Sequence, residues 1–299
     1  MKTLKLKSAY DSLDLSVAVS EAEGEAKGIF QISHGMAEHK ERYFPFMNYL
    51  SKQGWVCVIH DHRGHGESIK SPEDLGFMFK GGANALVEDL LLVQDWAKKE
   101  YPGLEVCLFG HSMGSMVVRA FCRKYDDRIA KLIVCGCPSY NSACSAGMAL
   151  AGIVSFFCGA HHRSKLLNAM SFGSFGKLFP GDGALGWLSA NRSNVKEYKA
   201  DPLCGFCFTA NGFKNLFKIM KECYNPKGWQ MAHSKMPILF VSGGDDPCRI
   251  SDKDFDKAVD FMRERGYGKV SSKLYPGLRH EILLEGKAEV WEDIAKFMN

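Results

Sequence analysis

The chain has 299 residues, 46% of them hydrophobic, and a formal charge of +4 at pH 7, which supplies apolar material for a large core and excludes a disordered chain. Its 38 basic and 34 acidic residues are scattered, with no basic run interleaved with aromatics, so nucleic acid is not the expected partner. The lysine-alternating start Met1–Ser8 has no apolar h-region and does not read as a secretory signal, and the longest apolar stretch, 146–160, is short of the ~20 residues of a membrane-spanning helix. Eleven cysteines without regular spacing suit a reducing cytoplasm rather than a disulfide framework. Cys204 and Cys207 form a lone C-x-x-C with no second pair at zinc-binding spacing, and read as packing residues.

In chain order, Thr3–Lys7 and Val17–Val19 predict an opening pair of strands and Gly28–Ser33 a third. Arg42–Gln53 reads as a helix, Trp55–His60 as a buried strand, and Leu86, Leu90, Val93 and Ala97 fall on one helical face. Val106–Phe109, Lys131–Cys135, Pro237–Ser242 and Val270–Tyr275 complete eight strands, with helices marked by Phe255, Ala258, Val259 and Met262 and by Trp291, Ile294, Ala295 and Met298. Strands alternating with crossover helices imply an α/β fold: a mostly parallel sheet covered on both faces, with the first two strands as an antiparallel edge. Residues 139–229 interrupt the rhythm without a clear strand and are expected to be a largely helical insertion, leaving 1–138 and 230–299 as the core.

Gly110-His111-Ser112-Met113-Gly114 follows a strand and opens a helix. A G-x-S-x-G match arises by chance in ~0.2 copies per chain of this composition, so its context decides. Here the context is that of a nucleophile elbow, a tight turn that exposes a serine hydroxyl above a sheet. Serine needs a base, and the base an orienting acid. Asp245 and Asp246 follow the seventh strand and His280 follows the eighth. Asp246 is preferred to Asp245 because Pro247 fixes the chain directly after it. Two backbone donors are expected for an oxyanion, Met113 after the nucleophile and Met36 in the loop after the third strand. The rival His60-Asp61-His62-Arg63-Gly64-His65 has the H-x-H-x-x-H spacing of binuclear metal sites, but Gly64 stands where an aspartate is wanted, so it reads as a structural loop. His161 and His162 read the same way.

Five motifs in order, Ser33–His39 with Arg42-Tyr43, Asp61–Ser68, Gly110–Gly114, Gly244–Pro247 and Gly277–Glu281, resemble the monoacylglycerol lipase and lysophospholipase branch of the α/β-hydrolases. The resemblance implies an α/β-hydrolase fold, an eight-stranded sheet with a helical cap inserted after strand six. It implies a triad of Ser112, Asp246 and His280, oxyanion donors Met36 and Met113, and polar groups Glu38 and Arg42 that either meet the substrate's head or brace their loop. The expected activity is hydrolysis of lipid esters such as monoacylglycerols or lysophospholipids through an acyl-serine, with no metal or organic cofactor. A carboxylesterase for short or aromatic esters and a non-catalytic binder of the same fold are the alternatives. Residues 139–183 depart from the family pattern. Phe156, Phe157, Phe172, Phe175 and Phe179 there either line an acyl channel or form the cap's own core, and the cap is the expected point of any transient membrane contact.

Overall fold

In the computed structural model, which describes all residues from Met1 to Asn299, eight strands form one sheet in the order β1-β2-β4-β3-β5-β6-β7-β8. Their ranges are β1 Lys2–Lys7, β2 Asp14–Ser20, β3 Gly28–Ser33, β4 Trp55–His60, β5 Val106–His111, β6 Lys131–Cys135, β7 Pro237–Gly243 and β8 Lys269–Tyr275. From β4 to β8 all neighbours are parallel. The expected antiparallel pair is present with one refinement: β2 alone is reversed, since it runs against both β1 and β4, and the edge strand β1 therefore points the same way as the rest.

The alternation of apolar side chains along each strand builds two cores. Ile29, Val56, Val58, Leu108, Leu132, Val134, Ile238 and Phe240 face one layer, made by α2 Gly82–Glu100, α3 Met113–Tyr125 and α8 Asp252–Glu264. Phe30, Ile32, Cys57, Ile59, Phe109, Ile133 and Val241 face the other, covered by α1 Phe44–Ser51 and α9 Ala288–Met298. The helix read from Arg42 starts later than its periodicity suggests, because Lys40–Tyr43 forms a 3-10 turn and Pro45 sits in the first turn of α1.

Between β6 and β7 lie α4 Cys144–Cys158, α5 Lys165–Phe172, α6 Arg192–Ala200 and α7 Ala210–Cys223. No strand occurs there; the one β-bridge pairs Arg163 with Thr209. The first of these helices is the more exposed: α4 buries only Cys144 and Ala151. By contrast α7 buries Phe213, Leu216, Ile219 and Cys223 in the same core as α2 and α3, so the end of the inserted segment is anchored on the sheet's helical layer.

Candidate active site

Ser112 directly follows β5 and caps α3 with φ 53° and ψ −116°, a conformation that costs a non-glycine residue about 1–3 kcal/mol and persists only where its surroundings impose it. The flanking glycines impose it by close approach. A Cβ on Gly114 would collide with the carbonyls of Ser33 and His34, and one on Gly110 with the carbonyl of Gly114. The Ser115 hydroxyl donates to the Ser112 carbonyl at 2.6 Å, fixing the first turn of α3.

Asp246 and His280 meet because two loops pack without side chains between them. A Cβ on Gly243 would strike the Leu278 and Arg279 carbonyls, and the amides of Gly244 and Asp245 donate to Tyr275 and Leu278. Asp245 is left exposed while Asp246 is buried. Asp246 accepts from Ser242 Oγ at 3.0 Å and the Cys248 amide at 2.8 Å, and its Oδ2 lies 2.9 Å from His280 Nδ1. Burial opposes charge on both partners, yet each reverses it for the other. The imidazole and the hydrogen bonds hold the Asp246 carboxyl below its ordinary range, and the carboxylate raises the His280 ring above its own. The Ser112 hydroxyl makes no hydrogen bond to His280 here, a looseness common before substrate binds.

Ser112, His280, Met36 and Met113 all line one cavity of about 1020 Å³. The Met36 amide has no partner among the protein's hydrogen bonds, and that of Met113 belongs to the first turn of α3, where backbone N–H groups have no intrahelical acceptor. Gly35 permits this loop to close on the elbow, since a Cβ there would press on Ser112 Cβ and Glu38. Phe172 and Phe175 also line the cavity. Phe156 and Phe157 do not; they are 82% and 78% exposed. Phe179 instead stacks on the Arg279 guanidinium, 4.0 Å from its ring centre.

Of the two roles left open for Arg42, substrate contact and loop brace, its surroundings are those of a brace. It is absent from the cavity wall, and its guanidinium is taken up by Glu38 at 2.7 Å, both oxygens of Glu281 at 2.7 and 2.9 Å, and Asn194 Oδ1 at 3.0 Å. Tyr198 stacks beneath it at 4.8 Å. Glu38 does border the cavity, but it accepts from Tyr43 and Arg42 and lies 3.2 Å from His111 Nδ1. Burial alone would raise this carboxyl; His111 and Arg42 hold it well below the ordinary range. These two residues join the loop after β3, the loop after β8 and α6.

Sequence reasoning missed several neighbours. Trp187 places its ring 5.2 Å from that of His280, Leu188 accepts from the Glu281 amide at 2.8 Å, and Glu285 accepts from Ala190, Asn191 and Arg279 amides. Apart from Arg279, six residues before Glu285, their partners lie about ninety residues away, beyond the reach of local spacing. The His34, His60, His62 and His65 rings pack in a cluster with neighbouring ring centres 4.5 to 6.3 Å apart, without converging as ligands. Burial pushes His60 down to about 3 and His65 to about 4, so they are neutral core residues. Arg63 in this loop pairs with Asp89 and Asp11, and Asp61 with Lys40.

A serine in a strained elbow between a parallel central strand and its helix, in a sheet of this order, defines an α/β-hydrolase. The family model described as serine aminopeptidase, S33, matches residues 24–287, and the chain belongs to that family, within a monoacylglycerol lipase-like branch. The monoacylglycerol lipase of Mycolicibacterium smegmatis is 24% identical over 273 residues, 91% of this chain and 88% of the relative. The monoglyceride lipase of Rattus norvegicus is 27% identical over 262 residues, 86% and 76% of the two chains. Among solved structures, a carboxyl esterase from Bacillus coagulans in complex with glycerol superposes with a TM-score of 0.90 at 23% identity, over 100% of this chain and 97% of that one. That likeness is one of fold. No helix is long and apolar enough to cross a membrane.

Proposed function

We propose that this hydrolase cleaves carboxylic esters of lipids, monoacylglycerols or lysophospholipids, through an acyl-Ser112 intermediate. The observation that carries the reading is the convergence of Ser112 and the Asp246–His280 pair on one cavity of about 1020 Å³, walled by apolar residues such as Met116, Leu150, Phe172 and Phe217. That volume is at the upper end of the ~300–1,000 Å³ of small-molecule sites, more than an acetyl or butyryl ester fills.

In this reading His280 Nε2 takes the Ser112 proton as Oγ attacks the ester carbonyl. The Met36 and Met113 amides hold the oxyanion, and the imidazolium then protonates the departing alcohol. Water, activated by the same ring, releases the fatty acid. Asp246 fixes the tautomer and favours the imidazolium. Residues 139–229 act as a cap over this core (1–138 and 230–299), and Ile153, Phe156 and Phe157, exposed together on α4, are its point of contact with a lipid surface. The free cysteines favour a reducing, cytoplasmic setting.

The test is hydrolysis of matched monoacylglycerols, lysophospholipids and simple esters of increasing acyl length, with fluorophosphonate labelling of the folded protein. A rate maximum at long chains and labelling lost in Ser112→Ala, with turnover down by several orders of magnitude, are expected. A maximum at acetate or butyrate makes it a short-chain carboxylesterase, and unlabelled Ser112 makes it a binder.

A further inference from the structure

Away from Ser112, His39 at the end of the loop after β3 and Asp201 and Cys204 on the turn after α6 bring one ligand atom each within 4.8 Å of one another. His39 and Cys204 are buried and Asp201 is partly exposed. His39 Nε2 lies 2.7 Å from Asp201 Oδ2, and its Nδ1 is hydrogen-bonded to Glu41. Metal-binding imidazoles are characteristically held this way, one nitrogen among the ligands and the other turned by a carboxylate. A nitrogen, oxygen and sulfur set suits zinc, with three protein ligands and a water, and does not suit the oxygen-seeking magnesium or calcium.

The geometry points to a zinc site made by His39, Asp201 and Cys204 and oriented by Glu41, which clamps the turn after α6 to the loop that carries Met36. The fit needs small movements. Tetrahedral zinc at 2.0–2.1 Å from nitrogen and oxygen keeps those atoms ~3.3 Å apart, so His39 Nε2 and Asp201 Oδ2 separate by ~0.6 Å as the metal replaces the proton between them. On binding, His39 Nε2 and Cys204 Sγ each release a proton to solvent. The clamp falls where the two segments are already joined. The Ala37 carbonyl accepts from Tyr198 Oη and the Gly205 amide, both at 2.9 Å, and Ala37 is held at φ 53° beside Met36.

A second group, Asp246, Cys248 and His280, also converges, but it belongs to the candidate active site and serves as the control. The chelator-treated full chain is titrated with Zn²⁺ against a chromophoric competitor, and separately with Co²⁺. One zinc per chain, a thiolate-to-cobalt charge-transfer band with tetrahedral d–d absorption, and a zinc-dependent rise in unfolding temperature are expected. Cys204→Ser removes the charge-transfer band. Glu41→Gln keeps it and weakens zinc by about tenfold, and Cys248→Ser leaves band and affinity unchanged. If Cys204→Ser folds poorly, Asp201→Asn, on a partly exposed side chain, carries the test through loss of the zinc-dependent rise. Absence of stoichiometric zinc, or a cobalt band that survives Cys204→Ser or disappears in Cys248→Ser, overturns the proposal. None of these readouts depends on turnover, so they stand apart from the hydrolase reading.

Discussion

Replacing Arg42 by alanine separates a bracing role from a substrate contact. The change leaves two buried carboxylates, Glu38 and Glu281, without their cation, their side chains being 3% and 4% exposed. Breaking a buried pair by removing one partner costs about 3–5 kcal/mol. The low end applies here, because Glu281 keeps the Asn194 amide at 2.7 Å and Glu38 keeps the Tyr43 hydroxyl at 2.9 Å. With an unfolding entropy of about 2.1 cal/mol/K per residue, a loss of ~3 kcal/mol in a chain of this length lowers the unfolding temperature by ~5 °C.

The loss depends on pH in a defined direction. Arg42 helps to hold the folded Glu38 carboxyl below its ordinary range. Its contribution is therefore complete above the unfolded carboxylate pKa and is lost as pH falls through the lower, folded value. The gap between wild type and Arg42→Ala measured by thermal unfolding should be full at neutral pH and narrow under acid. In a double-mutant cycle, adding Glu281→Gln to Arg42→Ala should cost much less than the two single effects summed. Unchanged unfolding temperature together with a raised KM confined to substrates with polar heads refutes the brace and restores Arg42 as a substrate contact.

Four further outcomes follow from the site and the helices around it. His280 must be neutral to accept a proton, and its folded pKa lies above its ordinary value because of Asp246, so the acid limb of kcat/KM should fall above pH ~6.5. Asp246→Asn should move that limb downward and lower kcat by roughly 10⁴-fold; a limb that stays in place argues against the pairing. Gly114→Ala should yield little folded, fluorophosphonate-reactive protein, because its Cβ meets the Ser33 backbone. Gly152→Ala, in α4 with nothing within 4 Å of the new methyl, should stabilise by about 0.5–1 kcal/mol in denaturant melts. Trp187→Ala removes a ring that contacts His280 and stacks near Phe172 and Phe175. The ratio of kcat/KM for long to short acyl esters should fall, and an unchanged ratio places the chain's path elsewhere.

The strands, the elbow and the helical insertion could be read from the chain because each has a local cause. Apolar-rich runs buried on both faces mark β3 to β7, Gly110 and Gly114 are demanded by backbone approach, and Pro247 distinguishes Asp246 from Asp245. What escaped was made by distant pairs. Arg42 finds Glu281 across 239 positions and Asn194 across 152, His39 finds Asp201 across 162, and no spacing rule reaches that far. The polarity of β1 escaped for a related reason: its direction depends on β2 pairing β4 on its other side.

The inserted segment divides in two, and the division bears on where substrate specificity arises. Residues 186–205 supply Trp187, Leu188, Asn194, Tyr198 and Gly205, which hold the His280 loop and Ala37. Changing them disturbs the geometry around Ser112, so their freedom to vary is small. Residues 139–183 make few such ties: α5 buries only Leu167, and Phe175–Leu178 buries nothing. Yet the same stretch contributes Leu150, Phe172 and Phe175 to the cavity and the most exposed apolar side chains of the molecule. A wall that is loosely tied to the elbow can change with the ester while the Ser112, Asp246 and His280 geometry stays fixed.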